Sequence, residues 1–144
     1  MKRLTVLIIS LVFITSACTS SQAGEGELPV PSQWSLVSFG EGGTETPVIE
    51  GSAITLEFGE EGQAGGSGGC NSYGAKYEVD GNSLKMQEIT STLMACMDEG
   101  ITEQEQQFFE ALQSAGNFEI AGDSLTIWYK DGQGKLNFVK GTSG

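Results

Sequence analysis

Apolar and polar residues alternate in short bursts along most of this chain, with the period of two that belongs to β-strands. Ile54-Thr55-Leu56-Glu57-Phe58 is the clearest case, with three apolar side chains facing one way and two polar ones the other. Trp34 to Phe39 (WSLVSF) reads as a strand that offers Trp34, Leu36 and Phe39 to a core. YGAKYEV and SLKMQEI flank Asp80-Gly81-Asn82, a turn sequence that predicts a hairpin. NFEI and SLTIWYK flank Ala121-Gly122-Asp123 in the same way, and after the turn DGQG the chain runs into KLNFV. Glu78–Leu84 and Glu119–Leu125 align at an offset of 41 residues, which reflects shared turn chemistry rather than a repeat. Residues 40–51 read as a loop rich in Gly and Glu. Gly59 to Gly69, with six glycines, reads as a flexible connection or a series of turns.

One segment has the helical period instead. Phe108, Ala111, Leu112 and Ala115 share a face. Thr102 is placed to cap the N-terminus, and Glu105, three residues on, would complete a capping box. Gly116 can take the left-handed turn that ends a helix. The pattern predicts a mostly-β domain: a curled, barrel-like antiparallel sheet of about seven or eight short strands. A single helix near residues 103–115 would lie across the sheet or plug one end of a barrel. Leu56, Phe58, Tyr77, Leu84, Met86, Ile127, Leu136 and Phe138 would fill the interior.

The start of the chain departs from this pattern. Lys2 and Arg3 precede an apolar run from Leu4 to Ile14, then Thr15-Ser16-Ala17-Cys18. A cationic start, a short apolar stretch and small residues before a cut site make a secretory signal. The run is too short to span a bilayer, which takes about twenty residues. Ser16-Ala17-Cys18 resembles the lipobox of bacterial lipoproteins, with Thr15 where leucine is commonest. That resemblance implies cleavage before Cys18, lipid attachment to its sulfur, and anchorage of an exported protein to the cell envelope. Either an outer membrane or the outer face of the cytoplasmic membrane would serve. Ordinary signal cleavage nearby is the alternative. Residues 18–31 then form a lipidated cysteine and a Gly/Ser-rich tether, spanning on the order of 20 Å root-mean-square. Residues 32–140 form the domain and 141–144 a tail.

Composition narrows the chemistry. Nineteen acidic residues against seven basic ones give a formal charge of −12. Loss of residues 1–17 would leave five lysines and a charge of −14. Such a chain lacks the cationic footprint that nucleic acid requires, and no polybasic patch is present to hold anionic lipid. Membrane attachment would therefore depend on the acyl chains. Histidine is absent, which removes Ser-His-Asp and Cys-His catalysis and histidine metal sites. The glycine run enters a strand pattern through Cys-Asn-Ser-Tyr rather than a helix through Lys-Ser/Thr, so it is no phosphate loop. Glu60-Glu61 and Asp98-Glu99 read as solvated pairs, and DGQG carries too few carboxylates for calcium. No catalytic residue, metal site or cofactor is expected.

Three stretches resemble one family. Gly69-Cys70-Asn71 is similar to its GCN signature, and Met94-Ala95-Cys96, within Thr92–Cys96, to its T-x-M-A-C segment. Trp34–Leu36 and Leu136–Phe138 are similar to its opening W-x-L and closing L-x-F strands. The order and spacing resemble the META domain, or HslJ-like, family of bacterial envelope proteins, over roughly Gln33 to Lys140. The resemblance implies a compact mostly-β fold, export, frequent lipid anchorage and an association with envelope stress. It brings no catalytic residue.

Cys70 and Cys96 would meet an oxidising compartment after export and are expected to pair. Closing a loop of about 25 residues is worth roughly 3.5 kcal/mol in the chain-entropy account. The rival reading is a reactive thiol at Cys70 beside Asn71, with no histidine to serve as base. Adjacent Trp128 and Tyr129 must point to opposite sides of their strand, so one of the two rings is the candidate for partner contact. Two classes of function remain open. One is a non-enzymatic, lipid-anchored envelope module, working through protein contacts or supporting the envelope under stress. The other is a carrier of a small apolar ligand in a lipocalin-like barrel.

Overall fold

The computed structural model describes residues 27–141, so the signal region, Cys18 and most of the tether lie outside the described residues. Within that span the chain forms β1 (Ser32–Glu41), β2 (Thr44–Pro47), β3 (Thr55–Phe58), β4 (Gln63–Ser67), β5 (Ser72–Asp80) and β6 (Ser83–Ser91). The helix α1 (Ile101–Gln113) follows, then β7 (Ala115–Ala121), β8 (Ser124–Tyr129) and β9 (Gly134–Lys140). Every pairing is antiparallel, and β1 meets both β3 and β9. Eight strands thus close into a barrel in the order β1-β3-β4-β5-β6-β7-β8-β9, and β2 folds back on β1 as an extra strand. The predicted turns form as expected, with Gly81 and Gly122 at positive φ between β5 and β6 and between β7 and β8.

The interior is apolar and packed. Trp34, Leu56, Phe58, Leu84, Ile127, Leu136 and Phe138 are buried within one contiguous cluster, and Tyr77 packs partly buried against it. Phe108 and Leu112 join that cluster from α1, the helix's apolar face. The helix lies across one end of the barrel, where β1, β4, β6 and β8 finish and β3, β5, β7 and β9 begin. Tyr73 of β5 sets its ring edge-on against Phe108 and Phe109 there, with centroids 5.7 and 5.3 Å apart. The seam between β6 and β7 is the thinnest, with Ser83 opposite Asn117 and the Phe118 N–H donating to the Asn82 carbonyl at 2.9 Å. Beyond that point β6 stays paired with β5 as far as Ser91, opposite Tyr73, and then leads into the 92–100 loop.

Four expectations need correction. Residues 40–51 are not only loop, because β1 runs on to Glu41 and β2 pairs with it. Gly40 permits this fold-back, since a Cβ there would collide with the Thr44 carbonyl. The glycine run opens on a tight turn at Glu60–Gly62, as expected, but its middle is the strand β4. Bare backbone is what lets its neighbours close in: a Cβ on Gly66 would strike the Thr55 carbonyl, and one on Gly65 would sit 2.8 Å from the Tyr73 carbonyl. Thr102 does not cap α1; Gly100, at φ 81°, occupies the cap position with no side-chain bond, and Ser114 ends the helix, leaving Ala115 and Gly116 in β7. Finally, the tether stops short of Pro31, because Leu28 is buried with the core.

The glycines of β4 and β5 can be separated by substitution. Gly66→Ala should cost about 1–3 kcal/mol from backbone conformation alone, because its φ of 148° disfavours a side chain. Gly74→Ala meets open space and should be neutral or stabilising by up to about 1 kcal/mol. Urea unfolding of the two variants checks this, and equal losses would contradict it.

Candidate functional site

At the helix-covered end of the barrel, the GCN and MAC segments meet on the first turns of α1. Cys70 and Cys96 are bonded, with Cα atoms 5.9 Å apart. Asn71, buried, joins the segments with its side-chain amide. Its Oδ1 accepts from the Met94 N–H at 2.7 Å and the Thr92 hydroxyl at 2.8 Å. Its Nδ2 donates to Glu105 Oε2 at 2.7 Å. Glu105 is itself buried, and its Oε1 accepts the Asn71 N–H at 2.6 Å and the Cys70 N–H at 3.3 Å. The neighbouring Gln104 works the same way on another loop, accepting the Ile49 N–H at 2.7 Å and donating to the Ser52 hydroxyl at 3.0 Å. Among the described residues no buried side-chain nitrogen or oxygen lacks a partner.

Gly68 and Gly69 make this approach possible. A Cβ on Gly68 would press into Glu105 and the Phe109 ring, and one on Gly69, at φ 109°, into Ser52. The small residues before Cys70 therefore serve the seating of α1. Tyr73, next to the hub, donates its hydroxyl to the Thr55 carbonyl at 2.9 Å. Burial holds that phenol well above the usual tyrosine range, and Glu57 adds to the shift.

Cys70, Cys96 and Glu105 also present ligand atoms within 4.8 Å of one another. In the bonded state the sulfurs are consumed by their mutual bond, and both Glu105 oxygens are engaged by N–H donors. In this state the cluster fastens the two segments to α1.

Above it the 92–100 loop presents apolar side chains to solvent. Leu93 is 96% exposed, Met97 92% and Met94 60%. Between this loop and α1 lies a depression of about 410 Å³, lined by Asn71, Ser91 at the end of β6, residues 92–96 of the loop, Thr102, Glu105, Gln106 and Phe109. Its floor is the Asn71–Glu105 hub.

The sequence-derived site residues are thus divided. Gly69, Cys70, Asn71, Met94, Ala95 and Cys96 come together in one place. Trp128 and Tyr129 do not join them. Tyr129 is buried, its ring lying over Gly134, while Trp128 is the outward member, half-buried opposite Lys135 and Asn117. Cys18 falls outside the described residues. Sequence reasoning missed Gln104 and Glu105 as the inward polar pair, and it missed the exposed loop. The signal for the loop was present, since Leu93, Met94 and Met97 cluster there without a strand or helix period.

Comparison with known proteins supports the architecture. The family profile described as META domain matches residues 27–142. A search of curated proteins gives no match. Among solved structures, a protein from Burkholderia xenovorans, determined by NMR, is similar with a TM-score of 0.67 and 24% identity, over 79% of this chain and 84% of that one. A second NMR structure gives 0.59 and 21%, covering 75% and 87% of the two chains. The crystal structure of a DUF4847 family protein from Bacteroides vulgatus gives 0.59 and 15%, covering 80% and 96%. At these identities the likeness is one of fold.

Two changes should report on the hub separately. Asn71→Ala leaves the buried Glu105 carboxylate without its side-chain donor and should cost about 2–3 kcal/mol. Reduction of the Cys70–Cys96 bond should cost about 2–5 kcal/mol. Urea unfolding of the oxidised, reduced and variant proteins measures both. A loss below about 1 kcal/mol in either case would remove that contact from its structural role.

Proposed function

The chain belongs to the META domain family, and from that premise we propose that it acts as a non-enzymatic module of the cell envelope, held to a membrane by lipid on Cys18 and working through contacts with other envelope proteins. The observation that carries this reading is the contrast between inside and outside. The inward side chains pack as one apolar cluster, while three large apolar side chains stand together in solvent on the 92–100 loop. A carrier would use the interior; a contact module uses its surface. The polar groups gathered at the site are spent on internal hydrogen bonds, which argues against acid–base chemistry there. Support of the envelope under stress, as the family resemblance implies, is compatible with such a role.

Anchorage rests on the sequence around Ser16-Ala17-Cys18. No helix among the described residues is long and apolar enough to cross a membrane. In cells, Cys18→Ser should move the protein from the membrane fraction to the soluble one, as read by fractionation. Unchanged membrane retention would overturn the lipid anchor.

A further inference from the structure

Resting on the reading that this protein works through contacts, we propose that the Leu93–Met97 loop and the adjoining face of α1 form a docking surface for a basic, amphipathic segment of another protein, one that combines Lys or Arg with large apolar side chains. The apolar part of the match is given by Leu93 and Met94, which line the depression with Phe109, and by Met97 on the same loop. Methionine side chains are flexible and polarisable, so such a surface adapts to apolar groups of different shape. The loop is also held in place before any partner arrives. The disulfide fixes Cys96, and Asn71 Oδ1 holds the Met94 N–H at 2.7 Å, which lowers the ordering cost of binding.

Charge selects the kind of partner. From Met86 to Tyr129 the sequence contains no Lys or Arg, and it contains eight Asp and Glu residues. Asp98, Glu99 and Glu103, all exposed, border the apolar loop where it enters α1. A basic segment gains from this rim, which steers its approach and fixes its register. An anionic lipid surface would be repelled by it. A second copy docked face to face would bring the two acidic rims together, which costs free energy rather than gaining it. The far end of the barrel lacks this combination; its exposed large apolar residues, Val30, Val79 and Val139, are each only 41–43% exposed, and it carries Lys85 and Lys140.

The test uses the full-length chain in detergent and a helical peptide with leucine on one face and lysine on the other. Binding is followed by fluorescence anisotropy. Leu93→Ser/Met97→Ser and Asp98→Lys/Glu99→Lys should each weaken it about tenfold while melting temperatures stay unchanged. The same kinds of change at the far hairpin, Val79→Ser/Asp80→Lys, should leave it intact, and a peptide with glutamate in place of lysine should not bind. Equal loss in the far-hairpin variant, or equal binding of the acidic peptide, would overturn the proposal. In cells, a photoreactive amino acid at position 97 should crosslink to a protein segment that carries Lys or Arg among large apolar residues. Capture of lipid, of a second copy, or of a segment without that chemistry overturns the docking inference and leaves the contact reading standing, as does capture from position 79 alone. Absence of any capture, of protein or lipid, from either position overturns both.

Discussion

The buried carboxylate of Glu105 is the contact on which the helix-covered end of this barrel depends. It brings the N–H groups of Cys70 and Asn71 and the Asn71 amide onto the second turn of α1, and Asn71 in turn holds the Met94 N–H and the Thr92 hydroxyl. One acceptor thereby links β4–β5, the loop after β6 and the helix. A buried carboxylate is costly unless its oxygens are satisfied, and here each oxygen is met by at least one N–H donor. The disulfide adds a covalent link between the same two segments, so the polar network and the sulfur bridge share one task.

Glycine at four positions makes that arrangement sterically possible. Gly65 and Gly66 let β4 lie close against β5 and β3, and Gly68 and Gly69 admit the helix. This is why a segment that composition marks as loose is ordered strand. The usual cost of glycine, its large loss of conformational freedom on folding, is offset by backbone pairing on both edges of β4 and by the nearby disulfide.

The barrel was legible in the sequence wherever period-two alternation met a turn signal. Ile54–Phe58, the Gly81-Asn82 hairpin and the Gly122-Asp123 hairpin all behave as their residues dictate. β2 and β4 were illegible because TETP and QAGGS carry no apolar alternation; their pairing is set by close backbone approach, a property of three dimensions. The ends of α1 were misread for a similar reason. Thr102 and Glu105 have the local spacing of a capping box, but Glu105 turns inward to meet Asn71, a residue 34 positions away. The pairing of Cys70 with Cys96 was legible from the two cysteines inside the domain, whereas the loop signalled by Leu93, Met94 and Met97 could be placed beside α1 only in three dimensions.

Closure of the barrel joins its first strand to its last, with Trp34 opposite Lys140 and Leu36 opposite Phe138. Those partners are separated by more than a hundred residues, so the contact order of the fold is high and its assembly is slow beside that of a helical bundle. A nascent chain cannot complete the ring until β9 has left the ribosome, because β1 has an open edge until then. The native state becomes available only when the final strand arrives, because β9 is what pairs the remaining free edge of β1.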